Sequence, residues 1–275
     1  MLPIRQPVFL KTADFTRMLK TALETGIARV TLNRPERHNA FDEGLIEALT
    51  TAFNVLGIDP TVRVIILSGA GKSFCAGADL DWMKRAAGWS EAENRADAMK
   101  LSDMLHAIDT CPKPVIARVH GNVAGGGVGV VACADMAVAI EGAQFRLSEV
   151  RLGLTPATIS PFVVAKIGTS AARRWCLTAE AFGAAQAQAM GLTHETAAHD
   201  AQADAIIDGW LTHLAAAAPG AVADAKLLVA DVAGRPVTDD LRALTAARIA
   251  ARRASSEGRE GLAAFFDKRK PEWNR

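Results

Sequence analysis

Chemistry is offered first by Gly121-Asn122-Val123-Ala124-Gly125-Gly126-Gly127-Val128-Gly129, which follows the strand-like run 114–120 and opens into an apolar, helix-like stretch. A triple glycine at such a junction lets backbone approach a ligand closely and presents bare N–H groups at a helix start. A second segment, Ser73-Phe74-Cys75-Ala76-Gly77-Ala78-Asp79-Leu80, follows the strand-like run 62–67. Two strand ends can therefore each supply one backbone donor to a single oxygen, which is the build of an oxyanion hole. Alone, either segment reads as an ordinary glycine turn; the pair is what points to chemistry. Glu149 follows the strand-like run 144–147 and precedes Val150, Leu152 and Leu154, which makes it an acid/base candidate, although a glutamate at a strand end taken alone reads more often as a solvated or salt-bridged residue. Apolar surroundings disfavour the charged carboxylate and raise its pKa. His120, at a strand end, reads as a packed, hydrogen-bonded structural residue.

The elements that must position these groups alternate. Short β-branched runs at 27–32, 62–67, 115–119 and 136–140 read as strands, with helices near 43–56, 91–108 and 124–133. That alternation implies βαβ units and a mostly parallel sheet, hence an α/β fold. After about Thr169 strand signals fade and alanine-rich helical patterns take over at 201–217, 221–232 and 240–254. The division drawn is a core over residues 1–200, carrying the site, and a helical module over 201–275.

Composition narrows the function classes. The 275 residues are half apolar, and 31 basic against 30 acidic residues leave a formal charge of +1. That balance offers no global footprint for nucleic acid or an anionic membrane, although Lys268-Arg269-Lys270 is a local basic cluster that reads as either a solvated terminus or a phosphate contact. Cys75, Cys111, Cys133 and Cys176 form no C-x-x-C pair, and no hydrophobic signal segment precedes the first charged residues. These features read as a reduced, cytoplasmic enzyme, and no metal-ligating constellation appears. The first twenty residues carry Arg5, Lys11, Arg17 and Lys20, but Asp14 and the prolines do not suit a transit peptide. The apolar run 123–140 is interrupted by glycines and Asp135, and reads as a buried helix running into a buried strand rather than a membrane span.

A strand followed by Phe74-Cys75-Ala76-Gly77-Ala78-Asp79-Leu80, and a later strand followed by His120-Gly121-Asn122-Val123-Ala124-Gly125-Gly126-Gly127, resemble the crotonase (enoyl-CoA hydratase/isomerase) superfamily. Leu32-Asn33-Arg34-Pro35-Glu36-Arg37-His38-Asn39-Ala40-Phe41, Ser148-Glu149-Val150-Arg151-Leu152-Gly153-Leu154 and Phe266-Asp267-Lys268-Arg269-Lys270-Pro271-Glu272-Trp273 extend the resemblance over nearly the whole chain. It implies a crotonase-like spiral of ββα units with a C-terminal helical trimerisation module, in a homotrimer or dimer of trimers. The implied substrate is an acyl-CoA, with coenzyme A part of the substrate and no separate cofactor. The implied oxyanion donors are the N–H groups of Ala78 and Gly126, with Glu149 as acid/base. Cys75, Ala76, Asp79 and Leu80 are implied to run along the adenine and pantetheine arm, Gly125 and Gly127 to flank the second donor, and Lys268 or Lys270 of a neighbouring subunit to approach a phosphate. Trp82 and Met83 read equally as acyl-side lining and as core packing.

One departure bears on mechanism. In the two-glutamate hydratases of this superfamily a second glutamate stands two positions after the last glycine of the triplet, and here that position is Gly129. The chain contains no tyrosine to substitute a phenol. Asp81, Glu91 and Glu93 are replacement carboxylates by position, but read better as exposed helix charges. The segment Ser148–Phe162 with Ala171-Ala172-Arg173-Arg174, and Gly129 itself, resemble bacterial methylglutaconyl-CoA hydratases of leucine and isoprenoid breakdown. The expected activity is hydration of a short or branched 2-enoyl-CoA. The alternatives are a Δ3,Δ2-enoyl-CoA isomerase using the same glutamate and, more remotely, a noncatalytic CoA- or RNA-binding relative.

Overall fold

The computed structural model describes residues 15–274; Arg5, Lys11 and Asp14 of the segment weighed as a transit peptide lie outside them. A short helix α1 (Phe15–Met18) leads into an antiparallel hairpin of β1 (Leu19–Glu24) and β2 (Ile27–Leu32), and α2 (Glu43–Ile58) follows. The Asp42 carboxylate starts α2 by accepting the Leu45 N–H at 2.9 Å.

Three ββα turns then form the spiral. Each sends one strand to a six-stranded sheet, a short strand to a four-stranded sheet, and then turns into helix. They are β3 (Val64–Gly69), β4 (Ser73–Cys75), α3 (Leu80–Ala86) and α4 (Glu91–Asp109); β5 (Val115–Val119), β6 (Asn122–Ala124) and α5 (Gly126–Cys133); and β7 (Met136–Ile140), β8 (Gln144–Arg146) and α6 (Ser160–Thr178). Next come β9 (Phe182–Gly183), α7 (Ala184–Ala189), β10 (Glu195–Ala197) and the helices α8 (Asp200–Ala216), α9 (Pro219–Val232), α10 (Asp239–Ala254) and α11 (Ser256–Phe266). The large sheet runs β1-β2-β3-β5-β7-β10 and the small one β4-β6-β8-β9; all pairs except β1/β2 and β8/β9 are parallel. The central strands read as continuous apolar runs because both faces of the large sheet are covered. Phe53, Leu49 and Leu105 pack on one face, while Ala203 and Ile207 of α8 cover Ile66, Ile116 and Val138 on the other.

Two expectations need correction. Strands continue past Thr169, because β9 and β10 exist; at two and three residues, beside an alanine-rich helix, they are too short to display a period-2 pattern. The helix expected from Ala124 begins at Gly126, since Gly125 adopts φ 49°, ψ −117° and separates β6 from α5. Only glycine reaches that conformation without strain. The apolar run 123–140 does divide into buried helix and strand, and among the described residues no helix is long and apolar enough to cross a membrane.

The chain end is tied back to the core through Arg63, whose guanidinium donates to the carbonyls of Ala217 (2.7 Å), Trp273 (3.0 Å) and Leu214 (3.2 Å). Helices α9 to α11 enclose a largely apolar groove of about 800 Å³ and expose Val229, Ile249, Leu262, Phe265 and Phe266.

Candidate active site

Two backbone loops and one carboxylate side chain converge at Gly125. A β-carbon placed there would lie 3.0 Å from Oε1 of Glu149 and 4.0 Å from Cα of Gly77. Gly77, at φ 89°, is itself so close to the second loop that a β-carbon would stand 2.9 Å from the Ala124 carbonyl oxygen. Close approach and positive φ together demand glycine at both positions.

The first loop is held by Phe41. Its N–H donates to the Gly77 carbonyl at 2.7 Å and its own carbonyl accepts the Asp79 N–H at 2.8 Å. This parallel bridge between Phe41 and Ala78 turns the Ala78 N–H away from its partner strand, and no described residue accepts it. The Gly126 N–H is the first of α5 and has no carbonyl one turn back within the helix. Both residues line one cleft of about 390 Å³ together with Glu149, Phe41, Trp82 and Ile159.

Glu149 begins a 3-10 turn, Glu149–Leu152, directly after the β8 edge. Its Oε2 is buried with no hydrogen-bond partner among the described residues. Burial pushes the carboxyl above its ordinary value of 4.5, and a bond from its own backbone N–H offsets only part of that. Glu149 is the one ionisable side chain among the residues lining the cleft.

The position of the absent second carboxylate is closed. A β-carbon on Gly129 would meet Cγ2 of Ile159 at 2.7 Å, Cβ of Ile159 at 2.9 Å and Cδ2 of Leu105 at 3.4 Å. The buried Ile159 side chain thus occupies the space into which residue 129 would project. Asp81 pairs with Arg37 (3.1 Å), Glu91 with Arg95 (2.8 Å), and Glu93 closes a capping box with Ser90; none of the three lines the cleft. His120 is a structural residue here, its Nε2–H donating to the Gly71 carbonyl at 2.9 Å.

Of the residues named from the sequence, Glu149, Ala78, Gly126, Ala76, Leu80, Trp82, Met83 and Gly125 line the cleft. Cys75, Asp79, Gly127 and Lys268 do not. The Cys75 thiol is wholly buried, which drives its pKa up to about 12, against the opposing effect of the Gly77 N–H directed at the sulfur. Gly127 is buried against the Cys75 carbonyl, 2.6 Å from where a β-carbon would sit. Asp79 caps α3 by accepting the Asp81 and Trp82 N–H groups at 2.9 and 3.4 Å. Burial pushes the Asp79 carboxyl up, but these two bonds and the Arg34 and Arg37 charges outweigh it and hold the group below the ordinary aspartate value. Lys268 lies exposed beyond α11, outside the cleft of its own chain.

A supporting network went unread in the sequence. The fully buried Asn39 amide donates to the carbonyls of Ser73 (2.8 Å) and Ala70 (2.9 Å) and accepts the Arg34 N–H (2.8 Å). The Arg34 guanidinium bonds the Ala40 carbonyl (2.6 Å) and pairs with Asp42 (2.8 Å) and Asp79 (3.2 Å), so it links the start of α2 to the first loop. Both residues stand in the block 32–41, where their only signal was resemblance.

A ββα spiral that brings two free backbone donors and one desolvated carboxylate into a single cleft defines an enzyme of the crotonase fold. A family model described as enoyl-CoA hydratase/isomerase matches residues 22–275, and the chain belongs to that family. It is similar to a solved enoyl-CoA hydratase from Shewanella pealeana, with a TM-score of 0.90 and 39% identity covering 93% of this chain and 96% of that one. A putative enoyl-CoA hydratase of Thermus thermophilus is 34% identical over 89% of this chain and 96% of its own length. An enoyl-CoA hydratase of Alternaria alternata is 39% identical over 74% of this chain and 67% of its own.

Proposed function

We propose that this protein adds water reversibly to a short or branched 2-enoyl-CoA thioester, with Glu149 as its single acid/base. The observation that carries the reading is the buried, unpartnered Oε2 of Glu149 in the same cleft as the free N–H groups of Ala78 and Gly126. In the forward direction water oxygen bonds to C3 while its proton passes to Glu149, and the electron pair of the C2–C3 double bond moves onto the thioester oxygen as an enolate. Ala78 and Gly126 donate to that oxygen; one such donor is worth roughly 2.7–4 kcal/mol. The enolate then collapses, C2 takes the proton from Glu149, and the carboxylate is restored. A carboxyl whose pKa is raised by burial suits both halves, because its carboxylate is a stronger base toward the water proton and its acid form keeps that proton until C2 takes it.

Water addition neither oxidises nor reduces, so the proposed reaction calls for no cofactor beyond the coenzyme A of the substrate. Ala76 and Leu80 are assigned to the pantetheine side and Trp82 to the acyl side. Among the described residues that line the cleft there is no cation to meet a distal carboxylate, which supports a neutral acyl group over methylglutaconyl-CoA. The exposed apolar side chains of α9 to α11 support assembly into a homotrimer or dimer of trimers, in which Lys268 of a neighbouring subunit would approach a CoA phosphate. Four free cysteines support a reduced, cytoplasmic setting.

A second reading, Δ3,Δ2-enoyl-CoA isomerisation, draws on the closed Gly129 position, since one carboxylate can also carry a proton between carbons. Loss of the conjugated-thioester absorbance across crotonyl-CoA, branched 2-enoyl-CoAs and methylglutaconyl-CoA tests the proposal. Hydration of a neutral member supports it. No loss with any member, together with an absorbance gain from 3-enoyl-CoA, replaces it by isomerisation.

A further inference from the structure

Hydration requires a base and also a fixed water, and a lone carboxylate can hold only one of that water's hydrogens in line. With Ile159 filling the space beyond Gly129, a second group must come from elsewhere on the cleft wall. Three hydroxyl side chains line the cleft: Ser148, Thr155 and Thr158. Thr155 is exposed, and Ser148 adjoins Glu149 on the base's own segment. Thr158 is half-buried and immediately precedes Ile159, so it stands on the wall that replaces the second carboxylate.

Resting on the hydratase reading above, we propose that the Thr158 hydroxyl holds the attacking water against Glu149, in the role a second carboxylate would otherwise fill. Its hydroxyl makes no hydrogen bond to another described residue. The backbone on either side of it, by contrast, is tied down. Ser160 donates to the Ala157 carbonyl through both Oγ (2.8 Å) and N (3.2 Å), Pro161 occupies the first turn of α6, and the Val163 N–H bonds the Ile159 carbonyl at 3.0 Å. A β-branched side chain on a fixed backbone has few rotamers, so the hydroxyl is preorganised. A hydroxyl both donates and accepts; it can take one hydrogen of the water while Glu149 takes the other, or donate to the water oxygen. Thr158 keeps its own proton throughout: the C3–O bond forms, the water proton goes to Glu149 and then C2 receives it.

The test compares two reactions of the same site. Deuterium exchange at C2 of butyryl-CoA needs Glu149 and the oxyanion donors but no water at C3. Thr158→Val, close in shape, is expected to lower kcat for hydration roughly 10–100-fold, the size of one lost hydrogen bond to a developing charge, while KM stays within about twofold and C2 exchange is unchanged. Thr158→Ser is expected to restore most of the rate, and Thr158→Ala supplies the same deletion should valine disturb folding. Hydration by the valine and alanine variants within twofold of wild type overturns the assignment, as does an equal loss of hydration and exchange, or a loss carried instead by Ser148→Ala. A wild-type protein that exchanges C2 protons but hydrates no 2-enoyl-CoA overturns the hydratase reading and this one with it; normal wild-type hydration with an indifferent Thr158 removes this one alone.

Discussion

A methyl group added at Gly129 tests whether the second-carboxylate position is truly filled. The new β-carbon of Gly129→Ala would stand 2.7 and 2.9 Å from two Ile159 carbons. Comfortable carbon–carbon contact is about 3.5–4.0 Å, so about 1 Å of movement is needed. One of the two atoms is Cβ of Ile159, which no rotamer change can move away. Overpacking of this kind costs about 1–3 kcal/mol, and the gain from alanine over glycine within a helix returns at most about 1. The net expectation is a loss of about 1–2 kcal/mol, seen as a fall in Tm of about 2–8 °C at fixed protein concentration. Ile159→Ala opens a cavity by itself, yet the double variant should be less destabilised than the two singles added together, with a coupling of about 0.5–3 kcal/mol. Strict additivity, or a Gly129→Ala protein at least as stable as wild type, would refute the packing argument. Gly129→Glu, which forces a carboxylate into the same space, should lower hydration of the native substrate; a tenfold gain on crotonyl-CoA would mean that the position is open after all.

Three further outcomes follow from the charges around the site. Arg34→Met removes the partner of Asp42 and Asp79 and leaves Asp79, only 5% exposed, without its nearest cation; a loss of about 2–4 kcal/mol in urea unfolding is expected, with reduced kcat, and a loss under about 1 kcal/mol contradicts the linking role. Burial raises the folded-state pKa of Glu149 above 4.5, so the folded protein holds that proton longer than the unfolded chain does. Ionising Glu149 therefore costs stability as pH rises through the window above 4.5, and Glu149→Gln should match wild type at pH 4 but exceed it in Tm at pH 7.5. A difference that does not change with pH, or a less stable variant at pH 7.5, would show that Glu149 is not desolvated. The acid limb of wild-type hydration should likewise lie above 4.5.

What the sequence displayed were features with local signatures. The two glycine segments follow β3 and β5 and contain β4 and β6, and Glu149 follows β8, so their place at strand ends was legible from the alternation of runs, whereas the choice of Ala78, Gly126 and Glu149 came from resemblance. The absent second glutamate was visible as Gly129, but its consequence was not. Ile159, far along the chain, fills that space only because α6 packs on α5, a long-range contact with no local mark. Asn39 and Arg34 were unreadable for the same reason: their partners Ser73, Ala70 and Asp79 arrive from the next turn of the spiral. Cys75 and Gly127 fall inside the glycine segments but lie in the core, because all three residues of β4 and every residue of α5 after Gly126 are buried. Strands β9 and β10 escaped notice because two or three residues carry no periodicity.

The central claim, that one desolvated carboxylate performs both proton transfers, is tested most directly by Glu149→Gln. The change keeps shape and removes the transferable proton. Measured on the best 2-enoyl-CoA of the panel, kcat is expected to fall about 10²–10⁴-fold while calorimetric binding of the thioester stays within a few-fold of wild type. A variant that binds normally and retains more than a tenth of the wild-type kcat would contradict the account.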